Sequence, residues 1–388
     1  MRLAGDYELS HVPGAANIGA KALFTADGLA QIPADKDVVV YCYTGQTSSQ
    51  ATSALNMLGY KAKSMKFGFP SWSNEMLDQQ SGSQPFNNDT DRHDYRTSDE
   101  AVAAESGNAP AAALGDTAQA AAEAYFINGT KNVKSSDVFE NLNDGDDSND
   151  PLIIDVRSAE DYATSHIPGA INNPSGKTLF TADGLAGIPT DKQVVVNCYT
   201  GQTASQVTSV LNMLGYDAAN LKFGFASWSS DGGYSFDAAK SPNYRTESGA
   251  AEAAPAAAPA AEATATPEAA PAPLKQPCHK TTAKEFEAMV KRKSTFISIL
   301  ILLSLILTGV VTMAQGPVQE AADDFFSGGP KHIAAVGVFD NLNDGDDGNN
   351  PFIIDVRKPE DYALSHVPGA VNIGVTALFT ADKLAELP

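Results

Sequence analysis

The chain repeats itself, and the repeats are cut at different places. SHVPGA at Ser10–Ala15 returns as SHIPGA at Ser165–Ala170 and as SHVPGA at Ser365–Ala370, each time followed by LFTAD (Leu23–Asp27, Leu179–Asp183, Leu378–Asp382). Recurrence on this scale means that one folding unit is used again. VVVYCYTGQTSSQ (Val38–Gln50) matches VVVNCYTGQTASQ (Val194–Gln206), with no third copy. In the other direction NLNDGDDSNDPLIIDVR (Asn141–Arg157) matches NLNDGDDGNNPFIIDVR (Asn341–Arg357), and the first unit has no counterpart. The first unit therefore starts inside the phrase IIDVR, the third stops at Pro388 before a cysteine strand, and the middle unit is whole. The expected layout is a truncated unit over 1–78, a polar and alanine-rich linker over 79–120, and a complete domain over 121–246. An Ala/Pro-rich linker over 247–288 follows, then an apolar segment over 289–315 and the amino-terminal part of a third unit over 316–388. The linkers read as solvated spacers, since such composition builds no core.

Within the whole unit, LIIDV (Leu152–Val156) and VVVNC (Val194–Cys198) are short apolar runs rich in β-branched residues, as expected of strands buried on both faces. Ser135 and Ser136 are expected to cap a short helix carrying Val138 and Phe139. Val207, Val210, Leu211 and Leu214 recur at helical spacing, and Gly215 ends that helix. Buried strands alternating with helices predict a parallel sheet covered on both sides, with ligands at the carboxyl ends of the strands.

Cys198 falls at that end, directly after a strand and before a helix, so Tyr199, Thr200, Gly201, Gln202 and Thr203 must curl over the helix amino terminus. The N–H groups there lack intrahelical partners. They and the helix dipole are expected to stabilise a thiolate or persulfide and to lower the cysteine pKa. Gly201 permits the turn, and Thr200 and Thr203 offer hydroxyl donors. Cys42 with Tyr43, Thr44, Gly45, Gln46 and Thr47 repeats the arrangement. With three cysteines in 388 residues, the fold rests on packed cores and not on a disulfide framework.

IIDVR, DYATSHIPGA, VVVNCYTGQT, a helix ending in LGY, and LKFGFASW, in that order, resemble the rhodanese family. The resemblance implies a three-layer α/β/α unit with a five-stranded parallel sheet, here as one complete copy plus two truncated copies. It also implies a cysteine, Cys198 and by repetition Cys42, that takes sulfane sulfur from a small donor, holds it as a persulfide, and passes it to a thiol or cyanide. No cofactor or metal belongs to that chemistry. Many strongly thiosulfate-active members carry basic residues in the loop, whereas CYTGQT has none, which leaves the donor open. Phosphatases and arsenate reductases of this fold use a loop arginine, and the positions after Thr203 are Ala204 and Ser205. The resemblance makes Asp155 and Arg157 structural neighbours of the site, as an ion pair or turn-fixing group, and His166 a hydrogen-bonded structural residue. Loss of the IIDVR strand is expected to weaken the Cys42 unit unless strand complementation between truncated units supplies it.

Competing readings are a non-catalytic binding or regulatory module and a redox-active single cysteine. Asp144, Asp146, Ser148 and Asp150 alternate as in a calcium loop with Asp155 at the twelfth place, but Asn149 occupies the glycine position, which favours a plain acidic turn. Cys278 beside His279 has no second ligand pair. Trp72 and Trp228 are expected to pack the last strands. A net charge of −21 argues against nucleic acid as a partner. Lys291, Arg292 and Lys293 precede an uncharged run over 294–315, which reads as a signal peptide beginning at Met289 or as a membrane span. Either reading predicts an extracytoplasmic (secreted or periplasmic) or membrane-anchored product, with the membrane as a partner through 294–315 if the segment is not cleaved.

Overall fold

The computed structural model describes residues 2–104, 107–109, 111–232, 236–246, 248, 316–346 and 349–355. The apolar segment, the 247–288 linker apart from residue 248, with Cys278 and His279, and the third SHVPGA and LFTAD phrases lie outside these residues. No helix among the described residues is long and apolar enough to cross a membrane.

Ten strands are present among the described residues: β1 (Ala16–Asn17), β2 (Asp37–Tyr41), β3 (Lys61–Met65), β4 (Asn132–Val133), β5 (Leu152–Asp155), β6 (Ile171–Asn172), β7 (Val194–Asn197), β8 (Ala218–Leu221), β9 (His332–Ile333) and β10 (Phe352–Asp355). They form two five-stranded sheets, ordered β4-β8-β7-β5-β6 and β9-β3-β2-β10-β1, and every pairing is parallel. The predicted α/β architecture is thus present twice. In the middle unit β5 pairs β7 with Leu152 opposite Val194 and Asp155 opposite Asn197. In the other sheet β10, from the far end of the chain, lies between β1 and β2 with Phe352 opposite Val38 and Asp355 opposite Tyr41. The third unit's strand β10 therefore occupies in this sheet the place that β5 occupies in the middle unit's sheet. The apolar runs are fully buried, since Val38, Val40, Val194, Val195 and Val196 expose none of their surface.

The two sheets meet through the helices Gln46–Met57 and Gln202–Met213. Each is buried almost all round, polar positions included, because the other covers it. The seam is hydrogen-bonded: Ser53 Oγ and Ser209 Oγ are 2.7 Å apart, Gln50 Nε2 donates to Lys131 O (3.3 Å) and Gln206 Nε2 to Lys331 O (3.1 Å). Pairing of this kind is what permits so many hydroxyls and amides inside.

The flanking segments cross over. Phe126, on the helix Ala118–Phe126 that opens the middle unit, stacks on Phe24 of the first, and Phe326 stacks on Phe180 of the middle unit. After the first unit, Tyr95 N donates to Trp228 O (2.8 Å) and its ring lies on Phe139. At the end of the middle unit, Tyr244 N donates to Trp72 O (3.0 Å) and its ring lies on Phe339. The 79–120 segment is accordingly not a free spacer. It bridges to His166 through Ser98 and bonds along the middle unit as far as Leu114 N to Met213 O (2.9 Å). Its backbone groups find partners that its composition does not announce.

Ser135 and Ser136 differ from expectation. They stand inside the helix Ser135–Asn141, whose cap residue is Lys134, and Ser135 Oγ instead donates to Ser227 O (3.3 Å). Gly215, at φ +89°, ends the Gln202–Met213 helix as the sequence predicts.

Candidate functional site

Cys198 follows β7 directly, and Gly201, at φ +78°, caps the helix that begins at Gln202. Gly45, at φ +80°, does the same ahead of Gln46. A side chain at either position would be strained and would press on the other unit: a Cβ at Gly45 would stand 3.0 Å from Gln202 Oε1, and one at Gly201 3.2 Å from Gln46 Cδ. The two cysteine loops are therefore in contact distance of each other.

The Cys198 thiol is buried at 3% exposure. Burial pushes its pKa up, while the backbone N–H groups of Ala204, Thr200, Gly201 and Thr203 pull it down. The expected lowering is thus corrected in sign: desolvation of the thiolate outweighs the ring of donors. The donors to sulfur are main-chain groups, and the Thr200 hydroxyl accepts from Gln202 Nε2 (3.3 Å). Around Cys42 Sγ, Gly45 N lies at 3.2 Å, Ser48 N at 3.4 Å and Ser48 Oγ at 3.4 Å. Ser48 stands where the second loop has Ala204, so the first sulfur has a hydroxyl donor that the second lacks.

The turns KFGF after β3 and β8 close over the loops. Phe69 N donates to Cys42 O (2.8 Å) and Phe225 N to Cys198 O (2.7 Å). This holds Phe67 and Phe223 at φ +63° and +64°, a conformation costing about 1–2 kcal/mol in a residue with a side chain. Cross-unit bonds fix the loop glutamines, with Phe67 N donating to Gln202 Oε1 (3.1 Å) and Asn220 Nδ2 to Gln46 Oε1 (2.8 Å). Between the loops runs a partly open cleft lined by Thr44 and Thr200 and walled by Phe67, Phe223, Phe86 and Phe236. Phe236, near the carboxyl end of the middle unit, stacks on Phe67 of the first; Phe86, which follows the first, lies edge-on to Phe223 of the middle unit. Sequence reasoning missed Ser48 and these four rings. The only signals were the Ser48/Ala204 difference between otherwise matching loops and the paired KFGF phrases.

Tyr199 OH donates to Asp161, which with the Ser158 hydroxyl holds that carboxyl below the usual range. Tyr43 OH donates to the Asp6 carboxylate at the matching place. Thr47 and Thr203 sit partly exposed on the first turns of their helices. Asp155 and Arg157 form a fully buried pair, Nη2 to Oδ2 2.7 Å, with Asn197 Nδ2 also on Asp155 (3.1 Å). Arg157 donates to Ser165 O (2.7 Å) and lies 3.8 Å from the centre of the Phe225 ring, so it braces the loop from below. Engaged in this way, Asp155 is not a twelfth ligand to the exposed acidic turn. His166 is buried, with Nδ1 2.7 Å from Tyr162 O, Nε2 3.0 Å from Glu100 O, and its ring stacked on Tyr162. Trp72 and Trp228 are buried, each donating to the backbone of a crossing segment, Arg245 O and Arg96 O.

A thiol at the carboxyl end of a central parallel strand, ringed by main-chain donors at a helix amino terminus, defines an α/β protein of the cysteine-loop type. The rhodanese-like domain model matches residues 1–75, 137–231 and 339–387, more than half of the sequence, and the chain belongs to the rhodanese-like domain family. Among curated relatives it is 30% identical over 87 residues to a sulfurtransferase from Allochromatium vinosum, covering 22% of this chain and 78% of that one. It is 31% identical over 72 residues to the "Probable adenylyltransferase/sulfurtransferase MoeZ" of Mycobacterium tuberculosis, where it spans 18% of either chain. Among solved structures, a rhodanese-like domain protein from Staphylococcus aureus aligns at 22% identity and a TM-score of 0.23, over 26% of this chain and 91% of that one.

Proposed function

We propose that the chain is a sulfurtransferase or persulfide carrier in which Cys198, and also Cys42, holds sulfane sulfur between a small donor and a thiol or cyanide acceptor. The observation that carries this reading is the set of four main-chain N–H donors converging on Cys198 Sγ. An anionic sulfur chain gains most from donors that are already oriented, because no reorganisation is needed when the charge arrives. With thiosulfate, the Cys198 thiolate attacks the outer sulfur, the S–S bond of the donor breaks, and sulfite leaves with its electron pair. Cyanide then takes the terminal sulfur of the persulfide and leaves as thiocyanate, and the thiolate is restored. The loop from Tyr199 to Thr203 offers no cation to a dianion, so donors of lower charge fit better.

The test is thiocyanate production by the full chain from thiosulfate or polysulfide and cyanide, with a persulfide on Cys198 by mass spectrometry. Loss of both in Cys198→Ser is expected; an undiminished yield in that variant would overturn the assignment. Burial and the raised pKa of Cys198 favour a second reading, a binding module whose thiol stays inert, and a folded protein that never carries persulfide would support it. We also propose an extracytoplasmic site of action from the 289–315 segment, tested by whether a reporter fused after Pro388 is active outside the cytoplasm.

A further inference from the structure

We propose that the two cysteines form a relay, with sulfane sulfur passing from Cys198 to Cys42 of the same molecule on a small thiol held in the cleft between their loops. The inference rests on the sulfur-transfer reading above and adds a direction and a carrier to it. Three observations support it. Thr44 and Thr200, each two residues beyond its cysteine, line one cleft, and the loops approach to contact through Gly45, Gln46, Gly201 and Gln202. The free space is about 20 Å³, enough for one water-sized group such as a thiol sulfur, while four phenylalanine rings offer the carbon skeleton an apolar bed. Among the described residues no charged side chain lines it. The direction comes from Ser48: its hydroxyl lies 3.4 Å from Cys42 Sγ, whereas Ala204 at the matching position has none. Once Sγ carries the extra sulfur the charge sits on the outer atom, and the Ser48 hydroxyl, which rotates about its C–O bond, turns to meet it; Ala204 offers no such donor, so sulfur comes to rest on Cys42.

Each step balances. The carrier thiolate attacks the terminal sulfur of the Cys198 persulfide, the sulfur–sulfur bond breaks, and the Cys198 thiolate leaves. The Cys42 thiolate then attacks the terminal sulfur of the carrier persulfide and the carrier thiolate is returned. No oxidant or reductant is consumed.

The experiment loads the full chain with less than one equivalent of thiosulfate or, in parallel, inorganic polysulfide. Catalytic 2-mercaptoethanol is added, and persulfides on the two cysteine peptides are trapped by alkylation and counted by mass spectrometry over time. Label is expected on Cys198 first and then on Cys42, at a rate that depends on the thiol and not on protein concentration over a tenfold range. Ser48→Ala, which installs the residue the second loop already carries, is expected to lower the final Cys42 to Cys198 ratio about tenfold. The relay is overturned if Cys198 loads and Cys42 stays bare, if transfer scales with protein concentration, if it proceeds equally without thiol, or if Ser48→Ala leaves the ratio unmoved. A chain in which neither cysteine takes sulfur from either donor would instead remove the sulfur-transfer reading, and the relay with it.

Discussion

At Cys198 two opposing effects meet on one atom, and burial outweighs the donors. Since the folded thiol has a raised pKa, the thiolate fraction is small near neutrality and grows as pH rises toward that value. Alkylation of Cys198 by iodoacetamide should therefore accelerate about tenfold per pH unit from pH 7 to 9, with no plateau in that interval. A rate flat above pH 7 would show that the donors win. The sequence made the donor ring legible, because strand, glycine and helix were all readable, but not the depth of burial, which depends on a second loop packed against the first. Asp155 and Arg157 belong to the same scale. Asp155→Ala leaves a guanidinium buried without its counter-charge and should cost about 3–5 kcal/mol of stability, read as a lowered urea midpoint. The pair was predictable from IIDVR. The bracing of Phe225 by Arg157 was not, since nothing local joins residues so far apart in the chain.

Among the elements, the helices Gln46–Met57 and Gln202–Met213 show where sequence reading stops. Their apolar spacing marks one face for the sheet, but serines, threonines and glutamines on the other faces look like a solvated surface until the facing helix is known. Strands β4 and β9 flank this seam with a difference: Asn132 in one is His332 in the other. His332 lies 3.3 Å from Gln206 Nε2, and burial, with Lys66 adding to it, drives its pKa from 6.5 down to about 3. A histidine depressed in the fold contributes fully above its unfolded pKa and loses that contribution as pH falls toward the folded value. Stability should fall between pH 6.5 and 3 by up to about 1.4 kcal/mol per pH unit from this group alone. His332→Asn, the middle unit's own residue, should flatten that part of the curve; an unchanged slope in urea titrations would assign the loss to other groups.

Over the whole molecule, repeats cut at different points fold into two equivalent sheets by exchanging their ends. The repeats themselves were legible, and so was a strand lent to the first unit by another. The crossing of Phe126, Tyr95, Phe326 and Tyr244 onto opposite units was not, because exchange leaves each residue in an environment of the same chemistry and alters only whose environment it is. A chain ended after Thr246 would lack β10 between β1 and β2. Its Val38–Tyr41 amides should exchange with deuterium at unfolded-chain rates, while those of Val194–Asn197, which keep β5 and β8 on either side, stay protected. The arrangement also sets a timetable for synthesis. β2 ends at Tyr41 and β10 at Asp355, so at about 5–20 residues per second β2 waits roughly 15–60 s on the ribosome for its neighbour. The middle unit has all five of its strands long before then, so the amino-terminal sheet is the later one to close, and for that interval it needs shelter from every other open strand edge in the cell.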